Sequence, residues 1–446
     1  MSSLAEVAPR ASVNAEADYV RSGIELAKWR IVPFLFLCFI LNYIDRTNVA
    51  FAKLHFQKDL GFTDAVYGFG VSLFFAGFLL FEVPSNLLLA RIGARKTLAR
   101  IMILWGIVSV AMMFIKTPTH FYLGRFLLGA AEAGFVPGVV LYLSFWFPST
   151  LRARITSLFM AALPISGIIS NPISGLIMDN LGGAFGLASW QWLFLLEGLP
   201  SIVVGVVAFW YLADRPKAAK WLSDPERDAL ASSVEREEQG KQAATHHGFG
   251  GLLADPRIYV FAFAVFTQYA VANTFAFWGP SILRGSGVAN VWYLGLLNAV
   301  PFVAGVVMMT TVAWRSDKKM ERRWHAAFGQ ALSVVGLMLL PAGVHDPLLA
   351  VVSLALVASG HYAFWSVFWT IPPSYFRARS APGGIALVAS IGALGGIFAS
   401  NLMGMIKDAT GSFSAGFYGI AALAALGVVV LLVGFPARLL PAVKAS

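Results

Sequence analysis

"FWFPSTLRAR" at residues 145–154 and "FWTIPPSYFRAR" at residues 368–379 carry the same punctuation: a Phe-Trp pair, then Pro-Ser, two residues and Arg-Ala-Arg. The two copies of Pro-Ser-x-x-Arg-Ala-Arg lie 225 residues apart in a chain of 446. The basic stretch "RIGARK" at 91–96 has a counterpart in "RSDKKMERR" at 315–323, displaced by 224. Two punctuation marks returning at half the chain length mean that one unit occurs twice.

The composition says what the unit is made of. Hydrophobic residues make up 58% of the chain and charged residues 13%, with a mean hydropathy of +0.72, far from the balance of a soluble domain. Apolar runs of roughly 20 residues, enough to cross a bilayer, begin near Ile31, Val66, Leu98, Phe121, Ile155, Trp190, Ile258, Tyr293, Ala326, Leu348, Gly383 and Ala415. The expected fold is therefore an all-α integral membrane protein: twelve transmembrane helices in two six-helix bundles related by pseudo-two-fold symmetry. Parallel repeats of this kind build transporters whose site lies at the midplane between the halves.

Charge placement orients the chain. Apart from Lys53, Lys58, Lys116, Arg284 and Lys407, which read as lying in the outside loops, and Arg46 and Arg125 within spans, every Lys and Arg falls in alternate polar segments or the two ends. Positive residues favour the cytoplasmic side, so both termini are expected there, and the net charge of +10 speaks for membrane orientation and against nucleic acid. The resulting division is a cytoplasmic tail 1–30, a first bundle 31–212, a linker 213–256, a second bundle 257–436 and a tail 437–446. The linker reads as polar with one short amphipathic helix, and His246 and His247 as exposed loop residues. No cleavable signal is evident ahead of the first span. Cys38 is the single cysteine, which excludes an internal disulfide and a cysteine metal cluster; it reads as a packed core residue.

"LNYIDRTNVA" at 41–50 then puts Asp45 beside Arg46 inside a span, and "GRFLLGAAEAGFVPG" at 124–138 adds Arg125 and Glu132. The internal repeat tests whether the scaffold demands them: the 225 offset sets them opposite Ala270, Val271, Ala350 and Val357, so it does not. Each costs roughly 2.5–3.5 kcal/mol within a membrane, and function is the default explanation. Arg125 and Glu132 are two helical turns apart and share a face. Asn42 and Arg46 share another, with Asp45 turned about 100° away. One reading is a neutral network that only fixes helix register. The other is coupling: protonating an acid frees an arginine, whose planar fork suits a carboxylate, and a carboxylic acid withdrawn from water can hold a proton near neutral pH.

Weaker candidates are Glu82 in "LFEVPSN", which reads either as a gate residue together with Arg91 and Asp317 in the basic loops or as a coupling acid, Glu197 in the sixth span, which reads as a buried, hydrogen-bonded residue, and His361 in the tenth, which could titrate near neutral pH but reads as a satisfied core histidine. The second half offers amide and aromatic side chains instead: Gln268, Asn273, Phe277, Trp278, Tyr362, Trp365 and Trp369. Asn273, Tyr362 and Trp365, with Tyr43 from the first half, are the substrate-binding candidates on this pattern. Charge on one half and rings on the other suit an organic acid. No phosphate-binding loop, metal-binding His cluster or nucleophile elbow occurs in polar context, so a transporter is expected rather than an enzyme, with no cofactor and protons as the coupling ion.

"NYIDRTNV" at 42–49, "FEVPSNLLLARIGARK" at 81–96, "GRFLLGAAEAGFVPG" at 124–138 and "SDKKMERRWH" at 316–325 together resemble the anion:cation symporter branch of the major facilitator superfamily, from about Arg30 to Pro436. The flavour is that of bacterial tartrate-, phthalate- and hydroxyphenylacetate-type permeases. The resemblance implies proton-coupled import of an organic anion by alternating access across a bacterial inner membrane, by a monomer in the lipid bilayer. Asp45 and Glu132 would be the proton-linked acids, and Arg46 and Arg125 would hold the carboxylate. Ala90 stands where the superfamily's loop motif usually has an acid. Ala389 and Ala393 stand where sugar-acid carriers often have asparagines, and Phe78 where many have tyrosine, which argues against a polyhydroxylated sugar acid. The alternatives are a sugar-acid symporter, and an uncoupled organic-anion facilitator or channel.

Overall fold

The structure is a computed structural model that describes residues 7–242, 255–372 and 381–434. Among these residues all regular secondary structure is helical. The second Arg-Ala-Arg copy, His246, His247 and the tail 437–446 lie outside the described residues. The first half holds α1 (Val7–Thr47), α2 (Val49–Leu60), α3 (Asp64–Ile92), α4 (Ala94–Ala111), α5 (Pro118–Glu132), α6 (Phe135–Ser144), α7 (Ser149–Met160), α8 (Ala162–Asn180) and α9 (Ser189–Tyr211). The linker carries α10 (Asp224–Gln242). The second half holds α11 (Pro256–Gly285), α12 (Val291–Lys319), α13 (Arg323–Leu339), α14 (Pro347–Phe368), α15 (Ala381–Thr410) and α16 (Ser414–Gly434).

Eleven of the described spans are long and apolar enough to cross a membrane by composition, with α5 joined to α6 and α7 to α8. The twelfth is α1, whose apolar run is cut short by Asn42, Asp45 and Arg46. It packs against α4, α8 and α9 like the other members of its bundle. Helix in α1 starts at Val7, well before the apolar run begins. The stretch ahead of the span lies on α10, with Ser22 Oγ donating to Glu226 Oε1 at 2.6 Å and Ile24 and Ala27 in one core with Leu222 and Leu230. Hydrogen bonds from Ser22 and Ser223 hold the Glu226 carboxyl below its ordinary range.

The break between α5 and α6 is local chemistry. Gly134 has φ 85°, in the left-handed region, where a side chain is strained, and a Cβ there would also meet Ser85 Oγ at 2.6 Å. Glu132 is thereby the last residue of α5.

The bundles meet along two crossings of small residues. In α8 against α12, a Cβ on Gly295 would stand 2.5 Å from the Asn171 carbonyl oxygen; in α3 against α15, one on Gly68 would stand 2.3 Å from that of Ser400. Such backbone contact is how helices associate without a hydrophobic drive. Gly295→Ala is expected to destabilise the protein by about 1–3 kcal/mol, the usual cost of overpacking, read as a lower thermal midpoint of the purified protein. An unchanged midpoint would mean that the crossing is slack.

Polar contacts between the bundles lie in the half of the molecule away from the linker, here the hairpin end. Asp408 accepts from the backbone N–H groups of Asp64 and Ala65 at 2.9 and 2.8 Å, and Asn290 donates to Asp179 at 3.0 Å. Deeper in, Asn298 donates to Asn171 at 2.6 Å and Tyr67 to the Phe277 carbonyl at 2.8 Å. These contacts latch the two bundles together at the hairpin end.

Candidate functional site

The four sequence-selected charges separate into three environments. Asp45 is fully buried and faces α4 and α9. Ser109 Oγ donates to its Oδ1 at 2.5 Å, Trp105 Nε1 donates to its Oδ2 at 3.1 Å, and Ser201 donates to the same oxygen. It touches neither arginine. The reading of all four charges as one mutually paired network is therefore corrected: the turn of about 100° between Asp45 and Arg46 sends them to different neighbours.

Glu132, also fully buried, receives three donors on one oxygen. Arg46 Nη2 and Nε stand 2.9 and 3.1 Å from Oε2, and Asn42 Nδ2 stands 3.0 Å away. The shared face of Asn42 and Arg46 thus converges on α5. Oε1 of the same carboxyl is enclosed and has no partner.

Arg125 is the third environment. Its side chain is fully buried, and Nε, Nη1 and Nη2 all lack a hydrogen-bond partner. Its Cζ lies 4.8 Å from the centre of the Phe74 ring, and that of Arg46 lies 5.3 Å from the same ring. Attraction to a ring face is worth about 2 kcal/mol when desolvated, so Phe74 positions both cations without consuming their donors. A buried guanidinium with five unused N–H groups is costly, and a ligand anion would satisfy it. Arg46 also lies over Phe78, at 5.4 Å.

The second half supplies a wall of rings. Tyr43 packs edge-on to Phe302 at 6.2 Å. Phe302 in turn meets Phe275 and Tyr362. Trp365 donates to His361 Nδ1 at 3.2 Å. Asn273 spends its N–H on the Tyr269 carbonyl at 2.8 Å, and its Oδ1 is enclosed without a partner. Glu197 lies between α8 and α9, where Ser174 donates to it at 2.7 Å.

The gate candidates do not meet. Glu82 is half-buried and Arg91 exposed, while Asp317 pairs with Arg322 in its own half. No ion pair of Glu82 with a loop arginine is formed among the described residues. Near the N-terminus of α4, Asp214 accepts from the Arg95 backbone N–H at 2.8 Å, so an acid from the end of the sixth span serves the loop that carries Ala90.

Sequence reasoning missed the latch. Lys53, counted as a loop residue, is buried. Its Nζ lies 2.5 Å from Asp64 and 3.1 Å from Ser281 Oγ, and 4.0 Å from the Trp278 ring centre. Lys53→Met keeps the stem and removes the charge. In a Cys38→Ser, Ser281→Cys background it is expected to raise labelling by a membrane-impermeant maleimide from the hairpin side several-fold; unchanged labelling would show that the cluster does not hold the end shut.

Residues 35–400 match the family described as Major Facilitator Superfamily. A protein of Agrobacterium vitis named "Putative tartrate transporter" is 43% identical over 91% of this chain and 89% of its own. One of Pseudomonas putida, "Putative metabolite transport protein NicT", is 37% identical over 97% and 99%. Among solved structures, the inward-open xylose transporter XylE of E. coli superposes with a TM-score of 0.73 at 14% identity, covering 91% of this chain and 95% of that one.

Proposed function

The chain belongs to the Major Facilitator Superfamily and is a membrane-spanning transporter rather than an enzyme, and from that premise we propose that it carries a small organic acid anion, tartrate-like or aromatic, together with a proton. One observation carries this reading: Arg125 holds a wholly unpartnered guanidinium in the same bundle interior as a glutamate with one unpartnered oxygen. The carboxylate docks on Arg125, and the proton goes to Glu132 Oε1.

Charge counting supports the coupling. Arg46, Arg125 and an ionised Glu132 sum to one positive charge, which matches one carboxylate. Protonating Glu132 releases Arg46 from its pair, and the planar fork of Arg46 can then share the anion with Arg125. One proton with one monoanion moves no net charge; each additional proton, with Asp45 as the second acid, adds about 2.3 kcal/mol per 100 mV. Tyr43, Tyr362, Trp365 and Asn273 face the body of the acid in this reading.

Transport proceeds by rocking of the bundles about the midplane site. The linker end, where Lys and Arg collect, faces the cytoplasm, so both termini are cytoplasmic and the latched end is external. Glu82, Arg91 and Asp317 take part in closing the cytoplasmic end in the opposite state. A bacterial inner membrane is the location this reading assigns, supported by the bacterial relatives. Uptake of labelled acids into proteoliposomes tests the proposal: accumulation must depend on an imposed inward proton gradient and collapse with a protonophore. Equal accumulation without the gradient would overturn it.

A further inference from the structure

His361 is the one buried titratable side chain in the second bundle, apart from tyrosines, among the described residues. Its Nδ1 stands 3.2 Å from Trp365 Nε1 and 3.1 Å from Gln268 Oε1. An indole nitrogen can only donate, so Nδ1 is the acceptor and the ring proton of the neutral imidazole resides on Nε2. An amide oxygen cannot bond a bare Nδ1; turning the amide over would bring Gln268 Nε2, which has no partner as it stands, to Nδ1 in place of Oε1, and oxygen and nitrogen of an amide are assigned from such networks.

Nε2–H meets no polar atom of the described residues, and it is not among the wholly enclosed atoms left without partners. The ring is 5% exposed and lies against Tyr362 and Phe275, at 5.1 and 5.5 Å between centroids. Tyr362 packs against Phe302, the ring that meets Tyr43 of the first bundle, so His361 stands two rings from the seam between the bundles. Two neighbours fix its tautomer and orientation, and its donor is left unused.

We propose that His361 Nε2–H donates to an oxygen at the far end of the transported acid, a hydroxyl, keto or second carboxyl oxygen, so that the protein selects acids with two oxygen functions over simple monocarboxylates. This rests on the reading of Arg125 as the carboxylate anchor and adds the second end of the same site. No buried Lys or Arg stands in the second bundle among the described residues, so this end reads hydrogen-bonding capacity, whereas the first end reads charge. A site built to bond an oxygen discriminates against the analogue lacking it, because the buried donor is left unpaired.

The test is binding to the purified full-length protein of tartrate and of two matched pairs, 4-hydroxybutyrate with butyrate and 4-hydroxybenzoate with benzoate. The wild type is expected to favour the oxygenated member of at least one pair by roughly tenfold to a hundredfold, the worth of one buried hydrogen bond. His361→Phe should bring that ratio within twofold of unity, and His361→Gln, which keeps an N–H at a similar reach, should retain part of it. Equal wild-type affinity within both pairs overturns the proposal, as does a preference that survives in His361→Phe. No binding of any acid, or wild-type binding by Arg125→Leu, would instead sink the carboxylate reading itself.

Discussion

Arg125→Leu is expected to abolish binding of the transported acid while leaving the empty protein at least as heat-stable as the wild type. The two halves of that expectation come from one fact, that the guanidinium is fully buried and none of its nitrogens has a partner. Desolvating an ion costs several kcal/mol, and without ligand little beyond the Phe74 ring and the nearby Glu132 charge offsets it; an apolar side chain removes that cost. With ligand, the lost charged contact is worth about 2–5 kcal/mol, which is roughly thirty- to several-thousand-fold in affinity. Thermal denaturation with and without acid reads both. A midpoint well below wild type would mark Arg125 as a structural residue, and an intact ligand-induced shift would remove it from the site.

Glu132→Gln should separate binding from coupling. The amide keeps an oxygen for Arg46 and Asn42, whose donors now converge on Oε2, but it cannot take up and release a proton. Exchange of labelled for unlabelled acid across a vesicle membrane should persist, while accumulation driven by an inward proton gradient should fall to the level set by the solute alone. The variant resembles the protonated state in charge, so its affinity for the acid at alkaline pH should be no lower than that of the wild type. Gradient-driven accumulation by Glu132→Gln at the wild-type level would transfer the coupling role elsewhere, with Asp45 in its cage of Ser109, Ser201 and Trp105 the next acid to replace.

How far the site was legible depended on the range of the interactions that make it. Repeat spacing and hydropathy act over a window of one helix, and they suffice for twelve spans in two bundles. Residues without counterparts in the other half could be singled out because the repeat supplies its own comparison. The shared face of Asn42 and Arg46, and the turn of Asp45 by about 100° away from it, followed from helical periodicity. Lys53 was misplaced because its burial is made by Trp278 and Ser281 from the other half, and no local pattern contains them. His361 read as a satisfied core residue because its spare nitrogen shows only when Trp365 and Gln268 are set around it.

Membrane insertion, helix number, bundle division and the identity of the unusual charges were therefore written in the linear order of residues, since each follows from composition or period along a single helix. Which oxygen of Glu132 is spoken for, which guanidinium stands idle, and which end of the molecule is latched depended on the packing of helices distant in the chain, because partnering of a buried polar group is a property of its surroundings in space.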